Sequence, residues 1–219
     1  MKENRMLQDQ AYSYLIDMIK QGELESDKIY SIKKMADDLG ISRTPLRDAV
    51  MRLDQERYID VMPSKGFRLH KMEASDIDET YQIRNAIESY CMKQLARNVD
   101  TERGHEYYYK LVGKVTSQRK IMGTSKDPEE FGRKDYEFHR SIVQYVGNES
   151  MLEIYRRFMY RIFWLNVQSF TRKGRMEETE QEHSLLLKLI GEGKADELEP
   201  VLEDHLEIPR LINLELLGY

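Results

Sequence analysis

The chain has 219 residues, of which 40% are hydrophobic and 33% are charged, and its formal net charge is −5. This composition is typical of a charged globular protein of one or two domains and excludes a disordered chain. No apolar run reaches the ~18–20 residues of a membrane span, and the N-terminus lacks the apolar core of a signal peptide. The single cysteine, Cys91, excludes an internal disulfide. We therefore expect a cytoplasmic protein without a membrane contact.

The first 72 residues contain frequent glycine and proline and predict helices followed by a β-hairpin. The expected elements are helices at residues 8–21, 32–39 and 43–56 and strands at 58–62 and 67–70. Gly40 ends the second helix and Ser42 is placed to cap the third. A Pro-Ser-Lys-Gly turn joins the strands. This order of elements predicts a winged helix-turn-helix, a fold that binds DNA.

Two arginines lie at the start of the third helix, where a DNA-reading helix makes its base contacts. Arg43 and Arg47 are one turn apart, and arginine side chains bind guanine O6 and N7 in the major groove. Lys33 lies on the preceding helix, and Lys65 and Gly66 lie at the hairpin tip, where glycine would let the backbone approach a minor groove. Residues 40–70 carry six basic and four acidic side chains, so their local charge is only +2. The prediction therefore rests on the motif, and its alternative is a pair of solvated surface arginines.

The remaining residues, 73–219, have a helical apolar period almost throughout. The expected helices cover residues 76–97, 101–122, 128–146, 149–170, 176–190 and 195–217. Short breaks between long helices predict an antiparallel all-helical bundle. Pro209 lies inside the last helix and is expected to kink it.

Three histidines and one aspartate in this bundle have the spacing of a metal site. Asp135 and His139 share one face of a helix because they are four residues apart. His183 and His205 flank the turn GEGK at similar levels of a helical hairpin. If the helix over 128–146 packs on that hairpin, three imidazoles and a carboxylate converge, a donor set that suits Zn²⁺, Ni²⁺, Mn²⁺ or Fe²⁺. The alternative is a metal-free core in which the histidines only form hydrogen bonds.

Residues 30–66 resemble the DNA-binding domain of the GntR family of bacterial transcription regulators. The resemblance rests on LGISRTPLRDAVMRLDQERYI followed by PSKGF. It implies DNA contacts by Lys33, Ser42, Arg43, Thr44 and Arg47, with Lys65 and Gly66 in the wing. One departure is Arg57, which precedes the strand where family members commonly have a glycine.

Residues 77–219 resemble the FCD effector domain of the FadR branch of that family. The matching segments are IRNAIESYCMKQLA, DYEFHRSIVQYVGNESM and EHSLLLKLIGEGKADELEPVLEDH. Many members bind a divalent metal through an aspartate, a histidine four residues later and two further histidines, which implies Asp135, His139, His183 and His205. A small organic acid commonly completes the coordination. Arg84 resembles an arginine that some members place near this ligand; the alternative is a salt bridge to Glu88.

Together these features predict a homodimeric transcription regulator, expected to be a repressor, that binds double-stranded operator DNA. A winged helix-turn-helix domain is expected at 1–72, and an effector-binding and dimerisation domain of six to seven helices at 73–219. A small carboxylate at the metal would control the affinity for operator DNA. One alternative is a metal-dependent enzyme with an appended DNA-binding domain, although no general base stands at a spacing that connects it to the site. The other alternative is a regulator that responds to the metal itself.

Overall fold

The computed structural model of the protein describes residues 2–25 and 27–219, without the side chains of residues 2–5, 20, 159 and 160. Within these ranges the fold is mainly α-helical with one two-stranded sheet, which confirms the predicted fold class. The chain forms two compact units, residues 1–72 and 73–219. Among the described helices, none has both the length and the apolar character that a membrane crossing requires.

The first unit contains three helices and a hairpin. Its elements are α1 (Lys2–Lys20), α2 (Ile32–Leu39), α3 (Arg43–Gln55), β1 (Ile59–Met62) and β2 (Gly66–Leu69). The strands pair antiparallel, with Ile59 opposite Leu69 and Met62 opposite Gly66. Helix α3 packs against α1 and buries one apolar face, which is formed by Leu46, Ala49, Val50 and Leu53.

The turn between α2 and α3 follows the predicted start and stop signals. The Ser31 side chain caps α2, and Gly40 ends it in the left-handed conformation, with its N–H bonded to the carbonyls of Ala36 and Asp37. Ser42 stands at the N-cap of α3 with an extended backbone, but its side chain makes no capping hydrogen bond.

Arg57 occupies a backbone position that favours glycine. Its φ is 59°, in the left-handed region. The Arg57 N–H donates to the Asp54 carbonyl and the Tyr58 N–H donates to the Leu53 carbonyl, the two bonds of a Schellman motif at the end of α3. The departure of this sequence from the glycine of the GntR pattern therefore leaves the turn intact, with an arginine in a conformation that costs energy for an L-residue.

Gly66 has a structural role at the turn end of the hairpin. Tyr30 and Phe67 form a β-bridge, in which each backbone N–H donates to the carbonyl of the other residue. Gly66 has φ 134°, and a Cβ at this position would collide with the carbonyl oxygen of Tyr30. Glycine is thus required for the close approach of two backbone segments, whether or not the wing also contacts DNA.

The second unit is a bundle of α-helices. They are α4 (Ala74–Arg97), α5 (Glu102–Gly123), α6 (Pro128–Val146), α7 (Glu149–Arg157), α8 (Met159–Phe170), α9 (Arg175–Gly191) and α10 (Leu198–Leu216), with a 3₁₀ turn at Ala195–Glu197 before α10. Helix α6 contacts α4, α5 and α8, while α10 contacts α4, α8 and α9. Pro209 lies inside α10, as predicted.

The single helix predicted over residues 149–170 is wrong. Two helices, α7 and α8, occupy this range, and they meet at Phe158, whose φ and ψ are −95° and 4°. Neither glycine nor proline marks this position, so the sequence carries no local signal for the break.

Candidate metal centre

Three helices bring the four predicted metal ligands into one buried cluster. Asp135 and His139 lie on α6, His183 on α9 and His205 on α10, and all four side chains are buried. One ligand atom from each residue lies within 4.8 Å of the others. Phe138 stacks on the ring of His183, with 4.1 Å between ring centroids, so the cluster is also enclosed by aromatic packing.

The Nε2 atoms of the histidines face one another at the centre of the cluster. His139 Nε2 lies 3.2 Å from His183 Nε2 and 3.1 Å from His205 Nε2. Asp135 Oδ1 lies 3.5 Å from His183 Nε2 and 3.8 Å from His139 Nε2. In a tetrahedral site with metal–nitrogen bonds of about 2.0–2.1 Å, two nitrogens are about 3.3–3.4 Å apart. The donor set and its spacing therefore fit a divalent transition metal.

The other ring nitrogen of each histidine faces an oxygen atom. His183 Nδ1 lies 2.9 Å from Gln118 Oε1, His205 Nδ1 lies 2.6 Å from Glu182 Oε2, and His139 Nδ1 lies 2.7 Å from Glu88 Oε2. Asn166 donates a hydrogen bond from Nδ2 to the Asp135 carboxylate. An oxygen acceptor at Nδ1 selects the tautomer that carries the proton there, which directs the Nε2 lone pair to the centre.

Burial keeps two of the histidines neutral, and neighbouring cationic and hydrogen-bonding groups keep Glu88 ionised. Burial lowers the pKa of His183 well below its usual value, and the neighbouring His205 and His139 lower it further. The pKa of His205 is lowered mainly by burial. Burial alone would raise the pKa of Glu88, but Arg84 and His139 lower it. Neutral imidazoles and ionised carboxylates are the protonation states that bind a metal.

Arg84 forms the salt bridge to Glu88 that was the alternative to effector binding, and its role at an effector stays a prediction. Its Nε donates to Glu88 Oε1 at 3.0 Å, which is the alternative salt bridge, and its Nη1 donates to Asn166 Oδ1 at 3.2 Å. Its guanidinium also lines a small cavity that Asp135 and His205 border. The Tyr155 hydroxyl donates to the same Glu88 oxygen at 2.7 Å. Arg84 therefore binds Glu88 and also places a positive charge at the cavity beside the cluster.

The expected DNA-contacting side chains of the first unit are almost all exposed. Lys33, Ser42, Arg43, Thr44, Arg47 and Lys65 are exposed, and Gly66 is half-buried. In the described part of the chain, the basic side chains of this set form no ion pair. Other basic residues of the same unit do, since Arg52 pairs with Glu56 at 3.1 Å and Arg68 pairs with Asp60 at 3.2 Å. The unpaired cations can therefore meet a phosphate without first leaving a carboxylate partner.

Comparison with known protein families covers both units. The gntR family of bacterial regulatory proteins matches residues 7–69, and the FCD domain matches residues 79–208. The chain belongs to the GntR family. It is a transcription regulator with an FCD domain, of a family that binds operator DNA, and the alternative of an enzyme is thereby set aside.

Individual relatives extend over most of this GntR-family chain. The gluconate operon transcriptional repressor of Bacillus licheniformis is 29% identical over 178 residues, which are 78% of this chain and 70% of that protein. The transcriptional repressor GlaR of Escherichia coli is 21% identical over 207 residues, 90% of this chain and 91% of that protein. The structure of Escherichia coli McbR/YncC has the same fold, with a TM-score of 0.74, 19% identity and coverage of 97% of this chain and 99% of that one.

Sequence reasoning did not find the residues that orient the ligands of this GntR regulator. Gln118, Glu182 and Asn166 hold His183, His205 and Asp135, and Glu88 was considered only as a partner of Arg84. Two further residues of α9, Arg175 and Thr179, line the cavity beside the cluster. Glu182 directly precedes His183 in the sequence, but its side chain contacts His205 of the next helix, so this neighbourhood does not reveal its partner.

Proposed function

We propose that this GntR regulator is a homodimeric cytoplasmic repressor whose operator affinity is set by a small carboxylate bound beside a divalent metal. The metal ligands would be Asp135, His139, His183 and His205. Zn²⁺, Ni²⁺, Mn²⁺ and Fe²⁺ all accept three imidazoles and a carboxylate. When bound, such an ion supplies an open coordination position for a carboxylate oxygen.

The convergence of three Nε2 atoms is the observation that carries the proposal. Each histidine has an oxygen at Nδ1, so the lone pairs at Nε2 point towards one another over 3.1–3.2 Å. Neutral imidazoles in this arrangement repel one another unless a cation or a proton lies between them. A bound cation removes this repulsion and satisfies all three nitrogens together.

Arg84 would contribute to the binding of the carboxylate. Its guanidinium is 2% exposed and borders the cavity next to Asp135 and His205. A buried arginine held by Glu88 and Asn166 is fixed in orientation before the anion arrives, which reduces the entropy lost on binding.

The DNA contacts would be made by Lys33, Ser42, Arg43, Thr44, Arg47, Lys65 and Gly66. Arg43 and Arg47 are the candidates for base contacts, because they lie in the first turns of α3, and the lysines are candidates for phosphate contacts. A homodimer follows from operator symmetry, since one winged helix reads too few base pairs for useful specificity. Two relatives are named as repressors, which supports repression for this chain.

The regulatory step would be a shift between two conformations of the dimer. A carboxylate changes DNA affinity only if it binds one conformation more tightly than the other. The second candidate is a regulator that senses the metal itself through the same cluster. In that case the cellular concentration of the metal, rather than that of the carboxylate, changes the DNA affinity.

Metal content distinguishes this proposal from a metal-free histidine core. We expect about one divalent ion per chain in purified wild-type protein by elemental analysis, and none in His183→Asn. His105→Asn, which changes an exposed histidine of α5, is the control and should retain the ion. Wild-type protein without any ion, even after incubation with Zn²⁺, Ni²⁺ or Mn²⁺, would contradict the proposal.

A further inference from the structure

We propose that the effector is a small monocarboxylate that carries a hydroxyl group, and that Arg175 and Thr179 of α9 recognise it together with Arg84. This inference rests on the proposed function, because it concerns the ligand of the same site. Neither Arg175 nor Thr179 belongs to the metal ligands.

Three buried side chains around the cavity retain polar atoms without a partner. Among the described residues, Arg84 Nη2, Arg175 Nε and Thr179 Oγ1 are buried and make no hydrogen bond. The residues are 2%, 1% and 1% exposed, and all three line the cavity that Asp135 and His205 border. Buried polar groups are nearly always paired in native proteins, so three unpaired groups at one cavity indicate a polar ligand.

Both arginines are held in place by other contacts. Arg175 Nη1 and Nη2 bind the two oxygens of Glu182 at 2.6 and 2.7 Å, and Arg84 is fixed by Glu88 and Asn166. These bonds leave Nε of Arg175 and Nη2 of Arg84 for a ligand. Two oriented cationic donors suit the two oxygens of one carboxylate.

The charge of the site favours a single negative charge on the ligand. The buried carboxylates of Asp135 and Glu88 and the carboxylate of Glu182, whose side chain is 20% exposed, oppose the guanidiniums of Arg84 and Arg175, so their sum is −1. Glu178 is not counted because its side chain is 58% exposed and solvent screens it. A divalent ion bound by neutral histidines changes the sum to +1. A monoanion then gives zero, whereas a dianion leaves an uncompensated buried charge.

Thr179 adds the requirement for a hydroxyl. Its Oγ1 can donate and accept one hydrogen bond each, and a neutral hydroxyl on the ligand satisfies it without another charge. An unsubstituted acid of the same size would leave Oγ1 buried and unpaired, which is the kind of loss that gives strong discrimination between analogues. The pocket therefore distinguishes a hydroxy acid from the acid that lacks the hydroxyl.

The cavity must enlarge when such a ligand binds. The cavity has a volume of about 10 Å³, which is about the room that one water molecule needs. Arg175 and Thr179 both lie in the first two turns of α9, directly after Gly174 in the left-handed conformation. A ligand of six or so heavy atoms therefore needs more room than the cavity has, so that the side chains around it must move apart.

A series of acids on the zinc-loaded full chain tests the proposal. By calorimetry we expect lactate and glycerate to bind about 10-fold more tightly than propionate, the difference that one buried hydrogen bond supplies. We also expect them to bind more tightly than succinate and malate. Dicarboxylates that bind as tightly as the hydroxy monocarboxylates, or propionate that binds as tightly as lactate, would overturn the proposal.

The variant Thr179→Val tests whether Thr179 binds the hydroxyl group of the ligand. We expect the variant to bind lactate about 10-fold more weakly than wild type and propionate unchanged. Thr116→Val, an exposed threonine of α5, is the matched control and should change neither affinity. Equal weakening of both acids would mean that Thr179 is only structural, and no weakening would exclude it from the pocket. If Thr179→Val does not fold, the acid series on wild type decides.

The outcomes separate this inference from the proposed function. If lactate binds selectively but leaves DNA affinity unchanged, the inference stands and the proposed regulation fails. If a dicarboxylate both binds and changes DNA affinity, the regulation stands and the inference fails. If none of these acids binds the zinc-loaded protein, both fail.

Discussion

At the scale of single residues, the candidate metal centre depends on the separate use of the two nitrogens of each histidine. Nδ1 faces a protein oxygen in His139, His183 and His205, and Nε2 faces the shared centre. The oxygens come from α4, α5 and α9, so three different helices fix the orientation of the rings. Residues that touch no metal are therefore expected to influence metal affinity.

Gln118→Leu tests this role without changing a ligand. The substitution removes the oxygen that holds His183 Nδ1, keeps a similar volume and frees the ring to rotate. We expect metal affinity to fall about 10–100-fold, as for other partners of metal-bound histidines, in a competition titration with a chromogenic chelator. Gln181→Leu, an exposed glutamine of α9, should leave the affinity unchanged. An unchanged affinity in Gln118→Leu would mean that the hydrogen bond does not orient the ligand.

The spacing in the sequence indicated that the four donors could converge, because two of them are four residues apart and the other two flank one turn, and the family resemblance supplied the complete set. Their oxygen partners were not predictable, since Gln118 is 65 positions from His183 and Glu88 lies two helices before His139. Only the packing of α4 and α5 against the ligand helices brings these residues together. Local periodicity contains no information on that packing.

At the scale of secondary structure, the end of α3 contains a strained residue. Arg57 holds the left-handed position of a Schellman motif, where glycine is the usual residue. The left-handed conformation costs an L-residue about 1–2 kcal/mol, and replacement by glycine removes this cost. Part of the resulting gain in stability is lost again, because glycine loses more backbone entropy on folding.

Arg57→Gly should stabilise the C-terminal turn of α3 by about 0.5–1 kcal/mol. Slower amide hydrogen exchange at residues 53–58 would measure this gain. Gln55→Gly is the matched control, because it places glycine inside the helix and should destabilise it by about 1 kcal/mol. Faster exchange in Arg57→Gly than in wild type would show that the arginine side chain stabilises the turn more than its backbone strain costs.

The recognition helix offers unpaired cations at its start and paired cations at its end. Arg47 forms no ion pair within the described residues, whereas Arg52 binds Glu56. The sequence predicted the position of α3 well, because its start, its apolar face and the following turn all have local signals. It could not show which arginines are engaged by neighbouring carboxylates, since that depends on side-chain rotamers.

Arg47→Gln should weaken binding to specific DNA by about 1–3 kcal/mol if Arg47 contacts a base. Fluorescence anisotropy with DNA from upstream of the gene, at two or more salt concentrations, measures the loss. Arg172→Gln is the control, because it removes the same charge from an exposed arginine of the second unit and should leave DNA binding unchanged. A loss of the same size for specific and unrelated DNA would place Arg47 on phosphate rather than on a base.

At the scale of the whole molecule, the two compact units contain different candidate sites. The first has the elements and the exposed cations of a DNA reader, and the second has the buried cluster and the polar cavity. Helix number and order in the second unit were largely predictable from periodicity. The break at Phe158 and the cavity between α4, α8, α9 and α10 were not, because both depend on how the helices pack.

Coupling between the two units is the central claim, and the effect of an acid on DNA affinity tests it most directly. The measurement is the DNA dissociation constant of wild-type protein with and without glycerate, in zinc-loaded and in metal-stripped samples. We predict a change of about 5–150-fold on addition of glycerate to the zinc-loaded protein, the usual range of coupling between two sites, and none in the stripped protein. If glycerate binds the zinc-loaded protein, equal DNA affinities with and without it would contradict the account, and so would the same change in the stripped protein.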